Sequence, residues 1–111
     1  MSNIKHYVPE MVNELTRIIV TTRNDNPSIE AYDAVVPGEW KRCQEVQALV
    51  QAGQIPSADQ LRTVLSSVVK MLRVKQVPEA EIRGRIDEAF ARCEQGLYPV
   101  DRAAVEAGVW T

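Results

Sequence analysis

The apolar residues of this chain recur at helical spacing, and this periodicity constrains the fold more than any other feature. In residues 8–23, 38–52, 57–75 and 78–95 the apolar side chains gather on one side of a helical wheel. No segment alternates apolar and polar residues for long enough to predict a strand. We therefore predict an all-α fold, a compact bundle of four main helices with one or two short helices.

Helix 3, at residues 57–75, carries the widest apolar arc and is predicted to be the central helix. Ser57 and Gln60 form a capping-box pattern at its start, where each side chain can accept a hydrogen bond from a backbone N–H. Pro78 breaks the chain before helix 4, so helices 3 and 4 are predicted to form an αα-hairpin. The arc of helix 3 consists of Leu61, Val64, Leu65, Val68, Met71 and Leu72.

Glycines are predicted to end several helices. Gly53 follows helix 2 and Gly96 follows helix 4, in the position where a left-handed residue commonly stops a helix. Short helices are predicted at residues 27–35 and 101–107. Gly108 is expected to end the second of them.

Length and composition predict a single helical domain over residues 1–111. Apolar residues make up 45% of the chain, which is ordinary for a globular protein. Cys43 and Cys93 lie on apolar helix faces and are interpreted as reduced, buried thiols. The sequence shows neither a signal peptide nor an apolar run of membrane-spanning length, so we expect a cytoplasmic protein with no membrane association.

The residues needed for catalysis or metal binding are sparse. His6 is the only histidine, and it precedes the first predicted helix. No phosphate-binding glycine loop, Cys-x-x-Cys pair or His-Glu-x-x-His motif is present. We therefore expect a protein that is not an enzyme, with no cofactor, no metal and no small-molecule substrate.

A basic segment interrupts an otherwise acidic chain. The whole chain carries a net charge of −2, but residues 62–85 hold six basic and two acidic side chains. A face of this kind can bind phosphate groups or an acidic protein surface. Four side chains share the face of helix 3 opposite its apolar arc, namely Arg62, Ser66, Lys70 and Arg73.

Spacing also predicts which charges are neutralised within their own helix, because opposite charges three or four residues apart lie side by side. Lys70, Arg73 and Lys75 are then the charges best placed to contact a partner, unless they face solvent and complement the helix dipole. The predicted pairs are Asp59–Arg62, Glu81–Arg85, Arg83–Asp87 and Glu88–Arg92.

Some apolar side chains lie off the predicted stripes. Val20, Val69 and Val74 are outside the apolar arcs, and Trp40 lies at the flank of helix 2. Trp110 is either docked on its own domain or offered to a partner, because buried aromatic area is a common source of binding energy. Both interpretations of Trp110 remain open at this point.

These features favour a small non-enzymatic protein–protein interaction module, such as an adaptor, an inhibitor or a subunit of a larger assembly. The partner is another protein or a second copy of the chain in a homodimer. The predicted partner-binding residues are Val69, Lys70, Arg73, Val74, Lys75 and Trp110. The alternative is a nucleic-acid-associated helical protein that uses Arg62, Lys70, Arg73, Lys75 and Arg83.

Overall fold

A computed structural model of the chain describes residues 9–24, 38–93 and 101–110. These ranges contain five α-helices and no β-strand, which confirms the predicted all-α fold, and none of the helices is long and apolar enough to cross a bilayer. The helices are α1 (Pro9–Asn24), α2 (Glu39–Gln51), α3 (Ala58–Val74), α4 (Glu79–Cys93) and α5 (Arg102–Glu106).

Some sequence predictions fall outside the described residues. These include the short helix at residues 27–35, the stop at Gly96 and the position of His6. The side chains of Val20 and Trp40 also lie outside the described part, although the backbone at both positions is helical. The short helix predicted at residues 101–107 is confirmed as α5.

Helix α3 lies at the centre of the bundle and packs against each of the other four helices, as its apolar arc predicts. Neighbours cover it on several sides, so the buried arc is wider than one stripe and also takes in Ser67 and Val69. Val69 was predicted to lie outside the apolar arc and to be open to a partner, and its burial shows that this is wrong. The buried residues of α3 are Leu61, Val64, Leu65, Ser67, Val68, Val69, Met71 and Leu72.

Helix α1 is the main packing partner of α3 and also contacts α4. Met11, Val12 and Leu15 on α1 have no exposed side-chain surface. Helices α3 and α4 contact each other less than either contacts α1, so the predicted hairpin is not the main packing unit. Between α1 and α4, Arg92 of α4 donates a hydrogen bond to Glu14 of α1 at 2.8 Å.

The cap at the start of α3 agrees with the sequence prediction. The Gln60 backbone N–H donates to Ser57 Oγ at 3.2 Å, and the Ser57 backbone N–H donates to Gln60 Oε1 at 2.7 Å. Both donors belong to a helix start and have no partner within the helix, so the two side chains satisfy them reciprocally. The central helix therefore has a fixed first residue.

Helix α3 ends in a Schellman motif with Gln76 in the left-handed position, at φ 64°. Val77 N donates to Leu72 O at 3.1 Å, and Gln76 N donates to Arg73 O at 2.9 Å. Val77 packs against the core, which is the apolar contact that usually accompanies this motif. The predicted stop at Gly53 is confirmed by the same arrangement after α2, but at the end of α3 a glutamine occupies the position that favours glycine.

We expect Gln76→Gly to raise the free energy of unfolding by about 1 kcal/mol, because glycine removes the side-chain cost of a left-handed backbone. Lys75→Gly is the matched control, since Lys75 has an ordinary helical φ of −76° and glycine there should destabilise the protein. Urea unfolding monitored by circular dichroism gives both values. A loss of stability at position 76 equal to that at 75 would contradict the assignment.

Candidate binding groove

An open groove of about 400 Å³ runs between α2, α3 and the turn that follows α5. Three cationic side chains and one carboxylate line it, so its lining has a net positive charge although the chain is acidic overall. We call it the basic groove. Its residues are Arg42, Asp59, Arg62, Thr63, Ser66, Lys70, Ala107, Gly108 and Val109.

The floor of the basic groove is the polar face of α3. Of its five α3 residues, Arg62 and Thr63 are adjacent and the others follow at intervals of three or four, so they form a continuous row along one side of the helix. This row lies opposite the buried arc that contains Leu65 and Leu72. Burial of one side of α3 therefore fixes the direction in which the groove residues point.

Arg62 is the most constrained side chain of the groove. Its Nη1 donates to Asp59 Oδ1 at 2.6 Å, which confirms the predicted pair, and its Nη2 donates to the backbone oxygen of Ala104 on α5. Its Nε is buried and has no acceptor among the described residues. A buried donor without an acceptor costs about 1–3 kcal/mol, and because Nε is buried it is not available to a ligand in the groove.

The C-terminal segment forms the opposite wall of the groove. Asp101 caps α5 by accepting from the Ala104 backbone N–H at 3.2 Å. Gly108 has φ 77° and turns the chain, as predicted, so that Val105 and Val109 on either side of it both enter the core. This anchoring places residues 107–109 beside α3.

Trp110 is docked on its own domain, which resolves the alternative that the sequence left open. The side chain is half-buried and packs against the core. Its Nε1 donates to Glu106 at 2.9 Å, and the Arg83 guanidinium lies 4.2 Å from the centroid of the indole ring. Trp110 therefore secures the segment that forms the groove wall.

Arg102 adds a second attachment, which the sequence analysis missed. It donates to Glu106 at 2.9 Å and to Asp87 on α4, and it lies 4.5 Å from the centroid of the Phe90 ring. The hydrogen bonds to Glu106 and then to Asp87 raise the pKa of Arg102, against the opposing effect of burial. The predicted Arg83–Asp87 pair is thus replaced, because Asp87 binds Arg102 and Arg83 stacks on Trp110.

Arg73 lies outside the groove and is held by α4. Its Nε and Nη2 donate to the two carboxylate oxygens of Glu79, at 3.0 and 2.7 Å. These hydrogen bonds raise the pKa of Arg73 and lower the pKa of the Glu79 carboxyl. The sequence analysis counted Arg73 among the charges left without a partner in the chain, but the α3–α4 turn brings the Glu79 carboxylate next to it. The predicted pairs Glu81–Arg85 and Glu88–Arg92 are confirmed, at 2.9 and 3.4 Å.

Of the remaining predicted site residues, some are buried or half-buried in the bundle and others line the groove. Val69 is 1% exposed, and Val74 is half-buried against the core, so neither valine forms an exposed apolar flank. Lys75 is the half-buried C-cap of α3. Lys70 is exposed and lines the groove, as does Arg62 from the nucleic-acid set.

Arg42 is a cation of the groove that was not predicted from the sequence. It lies on α2, one residue before the buried Cys43, and its exposed side chain faces the row on α3. A helical wheel of α2 indicates that Arg42 is off the core, but it does not indicate which neighbouring helix Arg42 faces. Cys43 and Cys93 are buried thiols, as predicted.

A second depression of about 380 Å³ adjoins the basic groove, with which it shares Arg42, Asp59 and Thr63. Its other lining residues are Glu45, Val46, Leu49 and Gln60, so it places apolar surface next to the cationic groove. Leu49 is half-buried and forms part of that surface. Together the two depressions present a cationic part followed by a partly apolar part.

We expect Val69→Asp to lower the free energy of unfolding by more than about 3 kcal/mol, because it places a carboxylate in the core. Lys70→Gln, at the next position but exposed, should change the stability by less than about 0.5 kcal/mol. Chemical denaturation of the two variants checks the burial of Val69. A folded Val69→Asp protein of normal stability would mean that Val69 is exposed, as its position outside the predicted apolar arc had indicated.

We expect Trp110→Ala to cost about 1–3 kcal/mol of stability, less than a fully buried tryptophan because the side chain is half-buried. Trp110→Phe keeps most of the packing and the contact with Arg83 but removes the hydrogen bond to Glu106, so its cost should be smaller. Thermal unfolding of both variants provides the comparison. Equal stability of Trp110→Ala and the parent protein would show that the side chain is not docked in solution.

Comparison with models of protein families, with curated proteins and with solved structures finds no match to this chain. The function is therefore inferred from the groove and its chemistry. The groove combines cationic donors, one hydroxyl-bearing helix face and a neighbouring apolar surface. These are features of a surface that binds a ligand by contact.

Proposed function

We propose that the protein is a non-enzymatic protein–protein interaction module that holds an acidic segment of a partner protein in the basic groove. The observation that carries this proposal is the groove itself, whose lining contains three cations, Arg42 on α2 and Arg62 and Lys70 on α3, and one carboxylate. Positive charge concentrated in a concave surface attracts acidic groups and raises their rate of association. The overall charge of −2 makes this local concentration stand out.

The adjoining depression supports a peptide as the ligand. Val46 and Leu49 give it apolar surface within reach of the charged groove. A peptide can place an acidic side chain on Arg42 and an apolar side chain on Leu49, because neighbouring residues of one segment carry both chemistries. Buried apolar contacts beside satisfied charges are typical of protein interfaces.

The positions of the other basic residues argue against an extended nucleic-acid track. Nucleic-acid binding gains affinity from many cations that neutralise successive phosphates. Arg73 is held by both oxygens of Glu79, and Arg83 stacks on Trp110, so two members of the predicted nucleic-acid set are engaged within the chain. The three cations that line the groove suit a short anionic segment better than an extended strand.

A homodimer through the predicted apolar flank is not part of this proposal. Val69 and Val74 pack on the core of their own domain, and Trp110 is docked between Glu106 and Arg83. The proposed contact surface is therefore the basic groove and not the surface around Val69, Val74 and Trp110. Of the predicted partner-binding residues, Lys70 lines the groove.

We expect the double variant Arg42→Glu/Lys70→Glu to bind a fluorescent peptide of Glu-Glu-Leu repeats at least about tenfold more weakly than the parent protein, because charge-assisted contacts become repulsive. The matched control is Arg17→Glu/Lys41→Glu, which changes the net charge equally at exposed positions on α1 and α2 outside the groove. Fluorescence anisotropy at physiological salt measures both affinities.

The control should bind the peptide nearly as well as the parent protein. An equal loss in both double variants would mean that the peptide responds to net charge, and it would contradict a defined groove. Circular dichroism should show unchanged helix content in both variants, since all four positions are exposed.

A further inference from the structure

We infer that residues 101–110, the C-terminal segment, detach from α3 and α4 as one unit while α1 to α4 stay packed, and that this movement gates the basic groove. The detachment follows from the contacts of the segment alone. The gating rests on the proposed function, because it states how binding in the groove is regulated.

The C-terminal segment cannot keep its structure once it leaves the bundle. Its helix α5 has five residues, whereas isolated helices shorter than about 12–15 residues are marginal in water. Asp101 caps α5, and a single turn follows in which the Val109 backbone N–H donates to the Glu106 oxygen at 3.0 Å. The backbone hydrogen bonds of the segment therefore form and break together with its docking.

Glu106 joins the two ends of the segment. It accepts a hydrogen bond from Arg102 at 2.9 Å and another from Trp110 Nε1 at 2.9 Å. Both donors also reach α4. Arg102 binds Asp87, and Trp110 lies under Arg83. Loss of one contact with α4 weakens the other through Glu106, so we expect the segment to leave α4 in one step.

The core of the bundle is built mainly by the other four helices. Val105 and Val109 of the C-terminal segment belong to it, and the other members of the described core lie on α1 to α4. Helix α3 also packs against α1, α2 and α4. Because buried apolar area is the main favourable term in folding, the four long helices retain most of their stabilisation when the segment leaves.

The contacts that hold the segment to α4 are partly exposed to solvent. The side chains of Arg102 and Asp87 are 41% and 59% exposed, and exposed ion pairs contribute little because water and salt screen them. Trp110 is half-buried under Arg83. Regions with few buried contacts open at a lower free energy than the global unfolding of a protein. The segment is therefore the part of the described structure best suited to open locally.

The basic groove depends on the docked segment. Residues 107–109 form one wall, and Arg62 connects that side to the floor, since it donates to the Ala104 backbone oxygen and to Asp59. Detachment leaves an open surface between α2 and α3. A ligand that needs the concave surface binds the docked form. By thermodynamic reciprocity, the same ligand then holds the segment in place.

Native-state hydrogen exchange measured by NMR tests the detachment without any ligand. The Val105 and Val109 backbone N–H groups donate to oxygens within the segment, and the Leu65 amide reports on α3. We expect protection factors at Val105 and Val109 that agree within about threefold and are at least about a hundredfold lower than at Leu65. Equal protection of Val105 and Leu65 would overturn the detachment.

Val12→Ala separates local from global opening. Val12 is a fully buried residue of α1, which packs against α3 and α4. The variant should accelerate exchange at Leu65 at least about tenfold, because it destabilises the four-helix core, and leave exchange at Val105 unchanged. Equal acceleration at Leu65 and Val105 would mean that the segment leaves only when the whole protein unfolds, and it would overturn the detachment.

Glu106→Gln tests the residue that joins the two ends. It removes the charge that binds Arg102, so Val105 and Val109 should both exchange about tenfold faster. Glu88→Gln is the matched control, because Glu88 also binds an arginine four residues away but lies outside the segment. The control should leave exchange at both valines unchanged. Acceleration at Val109 alone would overturn the single-step detachment.

The peptide of Glu-Glu-Leu repeats tests the gate. If the peptide binds only the docked form, a free concentration of ten times its Kd should slow exchange at Val105, Val109 and Leu65 alike, by about elevenfold. Slower exchange at Leu65 with Val105 unchanged would mean that the peptide also binds the detached form. That result would overturn the gate and leave the acidic-segment function in place.

The two proposals can also fail separately in the other direction. No effect of the peptide on the three amides at millimolar concentration would overturn the acidic-segment function and the gate together. The detachment is decided by exchange in the absence of peptide, so it stands or falls by the protection of Val105 relative to Leu65.

Discussion

The burial of one broad side of α3 is the constraint on which the rest of the structure depends. Leu65 and Leu72 lie at the centre of an arc that every other described helix covers in part. Apolar area removed from water is the main favourable term in folding, so this arc fixes the rotation of α3 about its axis. The side left over carries Arg62, Ser66 and Lys70, and the groove exists because the core has already determined where these side chains point.

The C-terminal segment converts that exposed face into a groove. Three arginines join this segment to the rest of the bundle. Arg62 of α3 donates to the Ala104 backbone oxygen, and Arg83 of α4 lies over the Trp110 ring. Arg102 of α5 binds Asp87 of α4. Individual surface contacts of this kind contribute little, but together they accompany the burial of Val105 and Val109. Arg62 and Arg83, which belong to the basic segment of the sequence, therefore also help to hold the C-terminal segment in place.

Local interactions could be predicted from the sequence, and tertiary ones could not. The Ser57 capping box and the Gly53 and Gly108 stops depend on residues within one or two turns, and the structure has all three. The burial of Val69 and the Arg73–Glu79 pair were not predicted, because both depend on other helices, which a helical wheel does not represent. Arg42 was overlooked for the same reason, since its role depends on α2 lying beside α3.

The most direct measurement is a chemical-shift map of the isotope-labelled protein titrated with the peptide of Glu-Glu-Leu repeats. The largest shifts should occur at Arg42, at residues 59–70 of α3 and at residues 107–109, because these positions line the basic groove. Helix α4 and the exposed face of α1 should change little. The largest shifts on α4, with the groove residues unchanged, would contradict the assignment of the groove as the binding surface.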